Sequence, residues 1–406
     1  MQADTAAMTG RRAYGAGMRA RSMEVLAASA IAVCCAALAI HSTSRSPEPR
    51  PAPVATVAPE TPLSEQRPRI EVVFVLDTTG SMGGLLEGAK QKIWAIANRL
   101  AGGEPRPELR VGLVAYRDRG DAYVTKRFDF TGDMDAVYAE LLGYQAEGGG
   151  DFPEHVGQGL HDALTRMQWT RGDGVLRLVF LVGDAPPHDD EQGQDGTGTG
   201  ELAARARAQG IVVNTIQCGS SPETARAWQR IAAATGGEFA SIAQDGGVVA
   251  VETPYDRALW ELNQELASTV LGWGSARDKE ASQVKLGNRA SMSVSAAAEA
   301  ASYSAKTARM NAEDLIGAVD GGKALAEIPR AELPAEMQAM TPDEQADYLA
   351  TVRTRREAVN QKIRAVAAER DAYLRAAERA AGADAGFDGK VVEALRRQAS
   401  AVGVAY

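Results

Sequence analysis

Three cysteines in 406 residues are too few for a disulfide framework or for a zinc site built on four thiolates. Aromatic residues make up only 5%, which argues against a platform for stacking single-stranded bases. Basic residues are in the minority. Lys and Arg number 44 against 53 Asp and Glu, and the formal net charge is −9. A general nucleic-acid binder needs the opposite balance to displace phosphate counterions, so the expected partners include no nucleic acid. Four histidines leave few options for a Ser/His/Asp set, and none sits in a nucleophile elbow. Long hydrophobic runs are scarce too. The longest candidate, residues 25–40, has 16 residues, short of the roughly 20 wanted for a membrane span. What is present, 45% hydrophobic and 24% charged residues, is an ordinary globular composition in a chain long enough for two or three domains.

The short apolar run follows Arg11, Arg12, Arg19 and Arg21 and contains an Ala37-Leu38-Ala39 step. That is the layout of an export signal. An uncleaved anchor fits the same residues. In either case the positive-inside rule places the rest of the chain outside the cytoplasm, secreted or held by a single pass. Any membrane contact is then through this segment alone. Cys34 and Cys35 read as small apolar residues, because Val33 is not the small residue that precedes a lipidated Cys. Residues 46–68 are Pro-rich and polar, a semi-rigid extended linker. The expected organisation is a signal or anchor over 1–45, the linker over 46–68, an α/β domain over 69–250 and a helical region over 255–406.

Residues 70–76 read IEVVFVL, a nearly continuous apolar and β-branched run. A strand buried on both faces reads this way. Comparable runs at 109–116, 176–182 and 211–217 alternate with helical patterns at 83–102, 133–144, 153–168, 200–209 and 222–235. Residues 122–130 alternate as an edge strand, and 238–242 form a short last one. This order predicts a doubly wound, mostly parallel sheet with helices on both faces, followed by an all-α C-terminal region. Gly274 and Gly287 are expected breaks in the first helical stretch, and residues 320–342 form a turn-rich gap. Thr341-Pro342-Asp343-Glu344 is a helix start, with Thr as N-cap and Pro at the first helical position. From there Leu349, Val352, Val359, Ile363, Val366 and Tyr373 fall on one stripe, shared with Arg356 and Arg370. The two Arg weaken a dimeric coiled coil, and a helical hairpin within the chain is the expectation.

Ligands of doubly wound sheets bind at the carboxyl ends of the strands. The first strand ends in Asp77-Thr78-Thr79-Gly80-Ser81, which aims Asp77, Thr79 and Ser81 at one point. The strand over 176–182 ends in Gly183-Asp184-Ala185-Pro186. A third loop, Gly148-Gly149-Gly150-Asp151-Phe152-Pro153-Glu154, opens a helix. Carboxylates and hydroxyls are hard oxygen ligands that suit Mg²⁺, Mn²⁺ or Ca²⁺ over zinc.

These residues resemble the von Willebrand factor type A (VWA) domain and its metal-ion-dependent adhesion site (MIDAS). The family motif is Asp-x-Ser-x-Ser after the first strand. Asp77, Thr79 and Ser81 match it, with Thr for the first Ser, and Asp184 matches the family's later Asp. The resemblance covers roughly residues 69–250. It implies one divalent cation, Mg²⁺ first, that a partner's acidic residue completes. In the family the hydroxyls touch the metal and the carboxylates act largely through water. One departure stands out: where the family usually supplies a Thr, this chain has Asp151. Either Asp151 joins the metal ligands or it only caps its helix.

Asp118 after the second strand either faces this site or pairs with Arg117 or Arg119, the latter being favoured. His188-Asp189-Asp190-Glu191 reads as a solvated acidic loop. Arg119-Gly120-Asp121 and Arg171-Gly172-Asp173 are tripeptides that suit turns. The leading reading is a non-enzymatic, metal-dependent protein-binding module outside the cytoplasm. The alternatives are a scaffold acting through its helical region, with a vestigial metal site, and a metal-dependent hydrolase. No catalytic residue is named for the last.

Overall fold

A computed structural model describes residues 67–150, 152–188, 198–242, 252–381 and 387–406. The expected signal or anchor, most of the linker, and Asp151 lie outside these residues, as do Asp189, Asp190 and Glu191. Among the described residues no helix is long and apolar enough to cross a membrane.

The chain begins with β1 (Arg69–Asp77) and α1 (Gly83–Leu100), then β2 (Glu108–Tyr116), β3 (Thr125–Thr131), α2 (Met134–Leu142) and α3 (Val156–Thr165). It continues through β4 (Val175–Gly183), α4 (Thr199–Ala208), β5 (Ile211–Cys218), α5 (Pro222–Thr235) and β6 (Phe239–Ile242). The sheet order is β3-β2-β1-β4-β5-β6, parallel throughout except for the antiparallel edge strand β3. This is the doubly wound sheet that the strand and helix alternation predicts.

Strand periodicity of two divides the sheet's side chains into two cores. On one face Val72, Phe74 and Leu76 of β1 join Leu113 of β2 and Phe180 of β4 beneath Trp94 of α1. Phe74 and Phe180 stack with their centroids 5.4 Å apart. On the other, Val73 and Val75 join Val179, Leu181 and Val213 beneath Leu160 of α3 and Trp228 of α5. Each of these apolar side chains contributes about 1.5–3 kcal/mol when fully buried. Helix α5 carries its signals in sequence: Ser221 accepts from the Thr224 amide, Pro222 follows, and Gly236 closes it in the left-handed region at φ 76°.

The C-terminal region is all helical: α6 (Asp256–Ala267), α7 (Ala276–Ala290), α8 (Val294–Thr307), α9 (Leu315–Asp320), α10 (Pro342–Ala381) and α11 (Phe387–Ser400). Gly274, at φ 100°, does break the first stretch, whereas Gly287 lies inside α7. Three short 3₁₀ turns fill 325–337. Thr341 and Glu344 form a reciprocal cap at the start of α10.

These helices share a core with the sheet. Ala296, Ala297, Ala300 and Tyr303 of α8 and Leu395 and Ala399 of α11 belong to the same cluster as Phe74 and Trp94. The C-terminal tail returns to α1, where the Tyr406 hydroxyl donates to the Leu100 carbonyl at 2.9 Å. Helix α10 lies against α6 and α8, with Val359, Ile363 and Ala367 packed on Leu259, Leu266 and Ala301. The two Arg of its stripe are buried and paired within the chain. Arg356 bonds Asp314 and the Thr269 carbonyl, and Arg370 bonds Asp256 and Glu299 at 2.6 and 2.7 Å.

Candidate metal centre

The carboxyl end of β1 is its last buried residue, Asp77, fully enclosed. Beyond it the chain cannot continue as a strand, because the Thr79 amide and hydroxyl both turn back to donate to Asp77 Oδ1, at 2.9 and 2.7 Å. Such an Asx-type turn brings position 79 beside position 77. The Ser81 hydroxyl then donates to Asp184 Oδ1 across the β1–β4 junction at 3.0 Å. Thr79 Oγ1 and Ser81 Oγ face each other at 3.2 Å. Asp77, Thr79, Ser81 and Asp184 thus form one chain of oxygens. With both hydroxyl protons committed to carboxylates, the lone pairs of Thr79 and Ser81 face each other. Ser81 is exposed, so the cluster is open to solvent on that side.

The electrostatics are those of clustered carboxylates with no basic side chain against Asp77 or Asp184 among the described residues. Burial, foremost, pushes the Asp77 carboxyl up to about 7; the Thr79 hydrogen bonds oppose this and the Asp184 charge adds to it. Asp184 is raised too, chiefly by burial, against the Ser81 hydrogen bond. Asp77 Oδ2 is buried and accepts no hydrogen bond of ordinary geometry; the Tyr116 hydroxyl acts on the carboxyl only weakly. Among the described residues no group of three or more His, Cys, Asp or Glu side chains is placed to hold a metal. The set assembled here is two carboxylates and two hydroxyls.

Glu154 is the residue that sequence reasoning passed over. It stands two residues before α3, its amide donates to the Pro186 carbonyl beside Asp184, and its Oε2 is buried without a partner. Burial, then the Asp77 and Asp118 charges, push its carboxyl up to about 9. The signal in the sequence was only a Glu in a glycine-rich loop, which equally fits a helix N-terminus. Thr224, whose hydroxyl donates to the Asp184 carbonyl at 3.0 Å, was also missed. Asp118 takes neither Arg neighbour that was favoured for it. It is buried and pairs with His188 Nε2 at 2.9 Å.

The glycine loop is stitched to the Asp77 turn, with Gly80 N–H donating to the Gly148 carbonyl and Glu147 N–H to the Thr78 carbonyl. Asp121, of the first Arg-Gly-Asp tripeptide, accepts from the Asp118 and Gly149 amides and so braces this loop. Gly149 has φ 77°, and a Cβ there would lie 2.9 Å from Glu154 Oε1 and 3.1 Å from Thr79 Cβ. Gly149→Ala is therefore expected to cost about 1–2 kcal/mol in urea unfolding, from the left-handed backbone alone. Unchanged stability would show that the loop is not held as described.

One family model aligns with the same segment. Residues 71–253 match the family model described as von Willebrand factor A domain. The von Willebrand factor A domain-containing protein 7 of Mus musculus is 34% identical over 122 residues, which is 30% of this chain. The human counterpart is 33% identical over the same length. The matched segment spans only 12% of either relative. Among solved structures, BatB from Bacteroides thetaiotaomicron is 18% identical with a TM-score of 0.33, covering 43% of this chain and 90% of that one. The SpRpn10 VWA domain is 16% identical with a TM-score of 0.34, covering 43% and 88%. Strand order and family match coincide on one segment, residues 71–253, which matches the von Willebrand factor A domain.

Proposed function

We propose that the carboxyl end of the sheet binds one divalent cation, Mg²⁺ before Mn²⁺ or Ca²⁺, and that an acidic side chain of a protein partner completes its coordination. The observation that carries this reading is the fully buried Asp77 carboxyl, with no basic side chain against it among the described residues, at the head of the Asp77–Thr79–Ser81–Asp184 oxygen chain. A buried carboxylate without a cation nearby is costly, and a bound ion relieves that cost. The donor set is all hard oxygen, which fits Mg²⁺ and does not fit a thiolate-seeking metal. The Thr79 and Ser81 hydroxyls would hold the ion with Asp77 and Asp184, and Asp151 is a further candidate. When bound, the ion supplies a positive charge that attracts a carboxylate. Glu154 and Asp118 lower that attraction, so the partner's acidic group must approach from the Ser81 side.

VWA domains commonly mediate protein interactions, and an open oxygen cluster of this kind suits capture of a partner through an ion. We read the module as one that acts by binding. The basic residues and apolar run at the N-terminus support a location outside the cytoplasm, and the helical region supports the sheet from one face.

The test is isothermal titration of Mg²⁺, Mn²⁺ and Ca²⁺ into the full chain and into an Asp77→Ala/Asp184→Ala variant. One-site binding, weakened at least tenfold in the variant, is expected. Absent binding, or equal binding by both proteins, would overturn the reading.

A further inference from the structure

At the other pole of the sheet, a cleft of about 470 Å³ opens where β1, β2 and β4 begin. Four arginines line it: Arg67 and Arg69 from the approach to β1, Arg106 from the approach to β2, and Arg309 from the turn after α8. They come from three separate stretches of a chain whose net charge is −9, so their convergence runs against the composition. Only Arg69 is engaged, with Glu108 at 2.9 Å and Thr170 at 3.0 Å. Arg67, Arg106 and Arg309 have no carboxylate partner among the described residues. Glu108 and Asp173 are the acidic groups of the lining, which leaves a formal surplus of two positive charges.

The backbone adds a second observation. Ala308 is the sole non-glycine residue at positive φ among the described residues, at 55°. A Cβ is disfavoured in that left-handed conformation. The strained residue sits between Thr307 and Arg309, and both of these neighbours line the cleft. The turn out of α8 thus carries Arg309 back to the base of the sheet.

We propose that this cleft binds a phosphate-bearing anion. Guanidinium groups match phosphate oxygens as planar forks, and a surplus of two charges suits a dianion better than a single carboxylate. A cleft of this volume is of small-ligand size. It lies at the opposite ends of the strands from the Asp77 cluster, about 25–30 Å away by the rise of a nine-residue strand. It also joins the start of the sheet to α8, so an occupant bridges the VWA segment and the helical region.

A free phosphate compound and a phospholipid headgroup share this chemistry, and the test separates them. The full chain and an Arg67→Gln/Arg106→Gln/Arg309→Gln variant are titrated with inorganic pyrophosphate in metal-free buffer. Both are also sedimented with vesicles of phosphatidylcholine alone or mixed with phosphatidylglycerol. All three arginines are exposed, so the variant is expected to fold, which its circular dichroism verifies. The expected result is saturable binding that weakens at least tenfold in the variant and falls with added salt. Loss confined to pyrophosphate identifies a soluble ligand. Loss confined to anionic vesicles identifies a headgroup. No binding to either probe, or equal binding by the two folded proteins, would overturn the proposal. Because cations are absent, the outcome does not depend on the Asp77 site.

Discussion

Asp77→Asn is expected to raise the melting temperature of the metal-free protein at pH 8 and to abolish any further rise on adding Mg²⁺. The Asp77 carboxyl, ordinarily near 3.8, is pushed up to about 7 by burial, against the Thr79 hydrogen bonds. Between these two values the folded protein holds a proton that the unfolded chain has lost. Stability of the metal-free protein therefore falls as pH rises through that window, and the whole penalty is present above about pH 7. It amounts to something on the order of 4 kcal/mol. Glu154, raised to about 9, extends the same trend to higher pH. Asn at position 77 keeps an oxygen for the Thr79 amide and hydroxyl and removes the charge. A gain of about 5 °C in EDTA is the expectation for a folded unit of this size. At pH 5 only about a third of that penalty is present, so the gap between wild type and variant should shrink, and it should close near pH 4. Mg²⁺ should stabilise the wild type more at pH 8 than at pH 5, because at pH 5 it competes with the proton. A variant less stable than wild type in EDTA at pH 8 would mean that the charge at position 77 is already compensated.

The second large effect is expected far from this site, at Arg289 of α7. Its side chain is buried and bonds Asp135 of α2 at 2.6 Å, Asn263 of α6 at 2.9 Å and Ser304 of α8 at 2.8 Å. One guanidinium thus ties the VWA segment to three C-terminal helices. Next to it Asp133, the N-cap of α2, accepts from Lys285 Nζ and from the Ala312 amide, each at 2.8 Å. Arg289→Met leaves Asp135 charged and unpaired in a site where burial already pushes its carboxyl up. Breaking a buried pair in this way costs about 3–5 kcal/mol. Asp135→Leu/Arg289→Met removes both charges and should recover much of the loss, a coupling that urea denaturation of the four proteins measures. Additive effects would show that the pair does not hold the two regions together. The same contacts predict one unfolding transition for the sheet and the C-terminal helices. Two separated transitions would contradict the shared core of Phe74, Trp94, Ala297 and Leu395.

The sheet was legible because its evidence is local. A doubly buried strand such as residues 70–76 differs from everything around it, and glycine and Ser/Pro signals mark where α5 starts and stops. The oxygen cluster was legible for a related reason: Asp77, Thr79 and Ser81 share one turn, and Asp184 ends the neighbouring strand. Glu154 was not, because its place depends on the Gly149 loop folding over Thr79, a contact between segments. The helical region was legible as helices but not in its packing. Arg356 and Arg370 read as flaws in a stripe, and their partners Asp314, Asp256 and Glu299 lie 42, 114 and 71 residues away. A periodic stripe identifies the face that is buried and says nothing of what covers it.

The central claim is that Asp77, Thr79, Ser81 and Asp184 form a divalent-cation site. The most direct test is the anomalous scattering of Mn²⁺ soaked into crystals of the protein. One strong anomalous peak is expected within coordination distance of Thr79 Oγ1 or Ser81 Oγ, absent from crystals of the Asp77→Ala/Asp184→Ala variant. A peak elsewhere on the molecule, or none at saturating Mn²⁺, would contradict it.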